Sequence, residues 1–564
     1  MKILFIENFQ YIHGTYKYPN ITLGLLGLAT ILKENNYDVE LINFNYLFLN
    51  NLINYDFDTE KKFETMADYI MDKEPDIVGF TALCNTFHNV LLLSRIIKER
   101  NNKIKIILGG PHASLAPETV LKDYPWIDLV CVGEGERNIV SIIKGLRNDS
   151  LTSVPGIVYR NDSQIIRTHD SEMVKDLDSL PLLNYDLILS FKDITFVDIE
   201  AGRGCPYRCT YCATNKYWKY NFRLKSVDRI CKEILEVKKI LGDKKVFFNF
   251  IQDNLTTNYD FIINLCDRLQ ELHIQWGCNA RLDTLDEKLI KRMADAGCTK
   301  LLMGLESASP SMQKHINKNL NLESVETIVD LLKKYNIDPL ISFMYGFPDE
   351  TEEDLLLTLN MIYSIVKKGI FTHLHSLCVL PGSQLFEHYK DKLVLRDFYS
   401  TVIEASETKT LSSMNLNNKE LFSQFYILED SLADKYFLLP GFINHIFIRL
   451  YPFFQETLDL LLEEFDNDLL SFYKDFLNNT EQFAAFFKNK EHEKFVIKNG
   501  ILIRNTDLVE HLIKFLTEYI NNKSPGDFTF SMISHKLCEE IEAFSNKQDI
   551  KVKGKVYPQW FRKD

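Results

Sequence analysis

Residues 202–212 read GRGCPYRCTYC, which puts Cys205, Cys209 and Cys212 on one short loop with the spacing Cys-x3-Cys-x2-Cys. The other cysteines of the chain are scattered and form no small-domain framework, so clustered thiols point to metal or catalysis rather than to disulfides. A closed zinc site or a four-cysteine cluster takes four ligands. Three thiolates on one loop suit a cube of four irons and four sulfides, with one iron left open to a chelating small molecule. Zinc held with a remote fourth ligand is the alternative. Cys231, Cys266, Cys278 and Cys298 show no ligand spacing and read as buried small hydrophobes.

Further candidates fall where strands are expected to end. ITFVDIEAGRG, VFFNFIQD, IQWGCNAR, CTKLLMGLES, DPLISFMYGFP and THLHSLCVL alternate with helical segments. This rhythm predicts a partial (β/α)6, TIM-like barrel over residues 191–395. Parallel barrels place their chemistry at the carboxyl ends of the strands. Asp253, Asn279, Arg281, Gly304, Glu306, Ser307, Gly346 and Pro348 sit at those ends.

The cysteine loop, followed in order by QDNLTT, CNARLD, GLESAS and YGFPDET, closely resembles the radical S-adenosylmethionine (SAM) superfamily. The resemblance implies a [4Fe–4S] cluster on Cys205, Cys209 and Cys212, with SAM on the open iron. Reductive cleavage would then give methionine and a 5′-deoxyadenosyl radical. It further implies that Tyr211 packs near the adenine and that Arg281 and Glu306 contact the ribose or methionine part of SAM. Gly304 and Ser307 would shape the pocket wall, and Asp253, Asn279 and Gly346 would complete the cofactor-binding set. For Arg281 and Glu306 the alternative is a structural ion pair across the barrel mouth.

The elements ahead of the barrel repeat a strand-then-helix pattern through residue 148. KILFIE, YDVELINF, DIVGFTA, KIKIILGG and LVCVGE are continuous apolar strands, as in a parallel sheet covered on both faces. They predict a doubly wound, Rossmann-like α/β domain whose ligand lies beyond the strand ends. Taken in order, TLGLLGLATILKE, PDIVGFTALCNTF, ILGGPHAS and DLVCVGEGE resemble the cobalamin-binding domain that precedes many radical SAM enzymes. That resemblance implies a cobalamin crevice formed by Gly24, Thr81, Gly109, Gly110, Gly133, Glu134 and Gly135. The loop ENFQYIHGT lacks the Asp-x-His-x-x-Gly spacing of domains that ligate cobalt through histidine. Neither His13 nor His112 is therefore expected on cobalt, and His112 is expected to pack in its Gly-Gly-Pro-His turn.

Residues 149–190 read as a small hairpin and an extended linker. From residue 396 to 564 the glycines thin out, and NKELFSQFYILEDSLADKYF, ETLDLLLEEFDNDLLSFYKDFL and DLVEHLIKFLTEYINN show helical spacing. A mostly α-helical substrate or cap domain over the barrel mouth is expected. FLLPGFINHIFIRLYPFF reads as a buried helical hairpin, and EKFVIKNGILIR as a β-hairpin turning at Asn499-Gly500.

The chain has 564 residues and a formal net charge of −13, with Asp and Glu numbering 78 against 65 Lys and Arg. An acidic balance argues against nucleic acid as the main partner. The basic, aromatic run KYWKYNFRLK at 216–225 is either a solvated loop or a contact for an anionic substrate. No stretch has the length of a membrane span, and MKILFIE reads as a first strand, not a signal peptide. A cytoplasmic enzyme is expected, served by a flavodoxin- or ferredoxin-class electron donor and acting on a small molecule or peptide. The two cofactors together imply methylation of an unactivated carbon through methylcobalamin. The alternative is epimerisation, cyclisation or rearrangement without methyl transfer. An epimerase needs a thiol to return hydrogen, and Cys378 at the end of the sixth barrel strand is the candidate.

Overall fold

The computed structural model describes residues 1–7, 22–54, 59–189, 191–396, 416–488, 506–523 and 528–546. His13 and the Asn499-Gly500 turn lie outside these residues.

The first sheet contains β1 (Lys2–Ile6), β2 (Asp38–Ile42), β3 (Ile77–Thr81), β4 (Lys105–Gly109) and β5 (Leu129–Cys131), all parallel. Their order is 2-1-3-4-5, so the chain reverses direction of travel across the sheet between β1 and β3. A crevice opens at such a switch point, outside the carboxyl ends of the strands. Ile3, Leu4, Phe5 and Ile6 are all buried, as strands covered on both faces require. The hairpin expected after residue 148 is β6 (Ile157–Asn161) and β7 (Gln164–Arg167). It pairs antiparallel with β5 and so extends the first sheet to seven strands.

The second sheet runs β8 (Phe196–Glu200), β11 (Phe247–Ile251), β12 (Gln275–Ala280), β13 (Cys298–Glu306), β14 (Asp338–Tyr345) and β15 (Phe371–Ser376), in sequential parallel order. Between the first two of these, β9 (Gly202–Arg203) and β10 (Arg223–Leu224) form a small antiparallel pair that brackets the cysteine loop. Side chains of the barrel strands alternate. Val197, Ile199, Leu301, Met303, Leu305, Phe343 and Leu374 join the core under the surrounding helices. The opposite face, carrying Phe196, Asp198, Asn249, Asn279, His373 and His375, lines the barrel interior.

A six-stranded barrel does not close, and its last strand leaves an edge. The chain covers that edge with a helical stretch made of Leu439–Gly441 and the π-helix Phe442–Ile448. The Asn444 amide accepts from the Leu374 N–H and donates to the Leu374 carbonyl, both at 2.9 Å, in place of a seventh strand. FLLPGFINHIFIRLYPFF is thus one buried helix ending in a turn at Pro452, not a hairpin.

Helices Gln455–Glu463, Leu469–Asn479 and Thr506–Lys523 follow, as their spacing predicted, and Phe528–Asn546 adds a helix that the spacing had not singled out. Leu469–Asn479 packs on the helix Glu352–Lys367, Leu439–Gly441 and the π-helix pack on β15, and the other helices pack on these. This part of the chain reaches the strand ends where Ala433 lies against Gly346. Residues 418–437 are not the long helix that their spacing suggested. They form turns, the strand β17 (Tyr426–Leu428) paired with β16 (Leu393–Leu395), and the single turn Leu432–Lys435. Tertiary contact overrides local preference here. Leu421 and Phe422 bury against the first domain, where the Phe422 ring lies 6.0 Å from that of Phe87.

Candidate functional site

The cysteine loop is held from several sides. Gly204 has φ +84°, and a Cβ there would collide with the carbonyl of Asn221, so only glycine fits. Asp253 accepts from the Gly204 N–H at 3.0 Å, and Gln252 donates to the Gly204 carbonyl at 2.6 Å. Further along, Thr210 donates to the Ile316 carbonyl and accepts from Leu385, both at 3.0 Å. The three thiols stay partly exposed, whereas Cys231, Cys266, Cys278 and Cys298 are buried.

Burial, and after it Asp253 and the two neighbouring thiols, push the Cys205 thiol up to about 11. Cys212 is raised by burial and by Cys209 and Asp253. Thiols that hinder one another's ionisation suit a cationic iron core, which takes them as thiolates. Among the described residues no three His, Cys, Asp or Glu side chains converge on a single ion. A cube binds each thiolate through a different iron and needs no such convergence.

At the barrel mouth the structure joins Tyr211, Glu306 and Arg281 through a residue that sequence reasoning missed, Lys318. The Lys318 ammonium lies 2.8 Å from Glu306 Oε1 and donates to the Tyr211 hydroxyl at 3.2 Å. The Tyr211 hydroxyl donates to the same carboxylate oxygen at 3.3 Å. Arg281 donates to the Lys318 carbonyl, pairs with Asp283 at 2.7 Å and stacks over the Tyr207 ring. Arg281 and Glu306 therefore do not form the ion pair that was their alternative reading. Glu306 sits at a bulge in β13 with φ +69°, and its carboxylate folds back over Gly304, where a Cβ would collide with it. A non-glycine residue held at positive φ is a strained feature of the kind that collects at functional sites. A signal for Lys318 did exist: Asn317 and Asn319, which flank it, both adopt left-handed backbone.

Two expected pocket residues have protein partners of their own. Ser307 is fully buried, and its hydroxyl is shared with Thr358 and accepts from the Ser309 N–H. It braces the strand end. Gly346 (φ +86°) abuts Ala433, so a protein contact accounts for the glycine. Asn279 lies on the interior face and donates to the Gln252 carbonyl at 3.1 Å.

The crevice of the first sheet is a cleft of about 460 Å³ lined by Gly24, Thr81, Gly109, Gly110, Gly133, Glu134 and Gly135 together. Its far wall comes from the second domain: Asp198, Glu200, Arg203, Tyr217, Trp218 and Ile251. A Cβ on Gly24 would meet nothing within 4 Å, so protein crowding does not account for that glycine, and it leaves room for a flat ligand to approach the backbone, as a corrin ring would. Gly133 also faces open space, but its φ of +77° already calls for glycine. His112 does not line this cleft. Its ring is buried edge-on to Phe87 at 4.8 Å, with Nε2 2.9 Å from the Leu421 carbonyl oxygen. Burial pushes it down to about 4.

A charged network joins the cleft to the cysteine loop. Arg203 reaches Glu134 and Glu136 of the first domain at 2.6 Å each, and Glu200 at 2.7 Å. Arg223 pairs with Glu134 at 3.0 Å, and Trp218 stacks beside both arginines. Cys378 is partly exposed just beyond β15, within electrostatic range of Cys84 in the loop after β3, and burial raises its thiol far above the ordinary range.

A glycine-lined cleft at a sheet switch point, facing a three-cysteine loop at a barrel mouth, defines an enzyme that uses two cofactors in one chain. Residues 199–362 match the radical SAM superfamily, and residues 11–143 match the B12 binding domain. The chain carries a radical SAM domain and a B12-binding domain, which bring a [4Fe–4S] cluster, SAM and cobalamin as its cofactors.

Among curated proteins it is similar to the uncharacterized methyltransferase PH0819 of Pyrococcus horikoshii. The two are 27% identical over 441 residues, which is 76% of this chain and 92% of that one. It is also 27% identical over 353 residues to the anaerobic magnesium-protoporphyrin IX monomethyl ester cyclase of Rubrivivax gelatinosus. That match takes in 59% of this chain and 62% of the cyclase, less than two thirds of its length. Among solved structures, the cobalamin-dependent SAM radical enzyme OxsB superposes with a TM-score of 0.64 at 17% identity. The overlap covers 98% of this chain and 82% of that one, a likeness of fold. No described helix is long and apolar enough to cross a membrane.

Proposed function

We propose that this enzyme transfers a methyl group from SAM to an unactivated carbon of a small-molecule or peptide substrate. The observation that carries the reading is the shared wall. The cleft of the B12-binding domain is closed by Asp198, Glu200 and Ile251, which are interior residues of the barrel itself. A ligand in that cleft faces the same space as a substrate in the barrel.

When bound, the cluster and SAM supply a deoxyadenosyl radical that removes hydrogen, and cobalamin supplies a methyl carrier. The chain's own residues position and exclude. Asp253 and Gln252 fix the start of the cysteine loop, and Lys318 orients Glu306 toward Tyr211. Arg203 sets the cleft against the loop. On the opposite barrel wall His373 and His375 lie with ring centroids 4.0 Å apart, and burial holds both well below the ordinary histidine range. They offer neutral imidazoles to a substrate. A flavodoxin- or ferredoxin-class protein is the proposed electron donor.

The test is product stoichiometry from anaerobically reconstituted protein given SAM, cobalamin, reductant and cell extract. Methyl transfer of this kind consumes SAM twice per turnover, so S-adenosylhomocysteine and 5′-deoxyadenosine should rise in comparable amounts. Deoxyadenosine alone would favour radical chemistry without methyl transfer, the reading to which the likeness to the cyclase points. If that product also carried one solvent deuterium that disappears in Cys378→Ala, Cys378 would be the hydrogen donor of an epimerase.

A further inference from the structure

The interior faces of β8 and β11 pair residue for residue: Phe196 with Phe247, Asp198 with Asn249, and Glu200 with Ile251. The pair at the amino ends of the strands is a stack of two aromatic rings with centroids 5.5 Å apart. At the outer level Glu200 is bound to Arg203 and Lys225. The middle level differs from both. Asp198 is 5% exposed, and among the described residues its side chain has one hydrogen-bond partner, Asn249, which donates to Oδ1 at 2.7 Å. Oδ2 has none, and the residue lines the cleft of the B12-binding domain.

The spare oxygen keeps its access to the cleft, where a ligand that displaces water must supply a donor in its place. The aromatic pair at the amino ends shows that the same two strands can carry apolar groups on this face. Burial lifts the Asp198 carboxyl to about 6, with the Asn249 bond opposing, so the group is mostly ionised near neutral pH.

We propose that Asp198 is a ligand-binding residue that accepts a hydrogen bond from an N–H or O–H group placed in this cleft. Its position fits two sources of such a donor. One is an amide arm of the corrin lying against the first domain. The other is an amine, amide or hydroxyl of a substrate in the barrel. The substrate source rests on the function proposed above; the corrin source rests only on the B12-binding domain.

Asp198→Asn keeps the shape and the contact to Asn249, and replaces the spare acceptor with an NH2 donor. Asp198→Ser withdraws the acceptor without adding a donor at that place. Loss of a hydrogen bond to a charged group predicts at least a tenfold weakening of whichever ligand uses it. The first readout is hydroxocobalamin affinity, titrated by visible absorbance into cluster-loaded protein. The second is the amount of cell extract needed for half-maximal deoxyadenosine release, a quantity that exists whether or not methyl is transferred.

Weaker cobalamin binding in both variants, with the extract requirement unchanged, identifies the corrin arm. Unchanged cobalamin binding with a raised extract requirement identifies the substrate. If folded variants of both kinds match the wild type within threefold in both readouts, the assignment is overturned. A wild type that releases deoxyadenosine without methylated product would refute methyl transfer and leave the Asp198 result standing.

Discussion

Replacing Arg203 by methionine should loosen the two domains and disturb both cofactor sites at once. The guanidinium is 8% exposed and holds three carboxylates, Glu134, Glu136 and Glu200, which are 3%, 10% and 18% exposed. Removing one partner of a buried ion pair costs about 3–5 kcal/mol, because the other charge is left uncompensated. Arg223 still serves Glu134, and Lys225 still serves Glu200. Glu136 alone loses its ion-pair partner among the described residues, so the lower end applies, about 3 kcal/mol.

The assay is urea unfolding of anaerobically purified protein followed by tryptophan fluorescence. Trp218 lies over Arg203 and makes the emission a local probe of this contact. Adding Glu136→Gln to Arg203→Met should recover part of the loss, since the stranded charge is then gone. Acid should act in the same direction as the mutation. Burial raises the Glu134 carboxyl, but Arg223 and Arg203 outweigh it and hold it below its ordinary value. A carboxyl lowered on folding stabilises above its ordinary value, and that stability is lost as pH falls through the folded value. An Arg203→Met protein whose first transition lies within about 1 kcal/mol of wild type, against the 3 kcal/mol expected from burial and pairing, would refute the reasoning.

Gly24→Val should leave the melting temperature of cobalamin-free protein unchanged, because its side chain enters open space, yet weaken cobalamin binding at least tenfold. Gly110→Ala should instead destabilise the fold, since φ is +89° and its Cβ would lie 2.6 Å from Thr81 Oγ1. Lys318→Met should cut SAM affinity at least tenfold in equilibrium dialysis, because Glu306 and Tyr211 lose the ammonium that aligns them. Glu350 provides a test against pH: burial lifts its carboxyl to about 8, with the N–H groups of Gly346 and Phe347 opposing. A carboxyl raised on folding stabilises at low pH, and that stability is lost as pH rises toward and through 8. Wild-type melting should therefore fall more steeply than that of Glu350→Gln between pH 5 and 9, by a difference of about a few kcal/mol in stability.

Local pattern carried much of this chain into view, and the misses have physical reasons. The strands of both sheets were legible because continuous or alternating apolar runs ended at glycines, and six of the seven cleft residues were legible because they sit at those ends, Gly24 lying instead in the helix after β1. What the sequence could not display was pairing between distant segments. Arg203 lies two residues from Cys205, but its partners Glu134 and Glu136 are some seventy positions away. Lys318 stands in a short turn with no motif, and only the fold brings it to Glu306. Residues 418–437 misled for the converse reason. Their helical spacing is real, but Phe422 and Leu421 are spent on the first domain, so the apolar face never forms. Ser307 and Gly346 occupy motif positions, yet Thr358 and Ala433 account for them without a ligand.

The six residues GRGCPY show how closely the two cofactor sites are tied. Gly202 and Gly204 are glycines because β10 and the Asn221 carbonyl press against them, which leaves no room for a Cβ at either position. Arg203 between them points the other way, into the first domain, where it binds the two acids of VGEGE. Glu134, one of those acids, belongs to the turn whose glycines line the cleft, and it also accepts from the Val174 N–H at 2.7 Å. Cys205 follows two residues later. The position of Cys205 is therefore set from the side of the B12-binding domain through one side chain and one glycine. A partner domain held only by a linker could drift relative to the barrel. Here Glu134 and Glu136 meet their arginines only in the docked arrangement, which makes the spacing between the cleft and the cysteine loop a property of the fold.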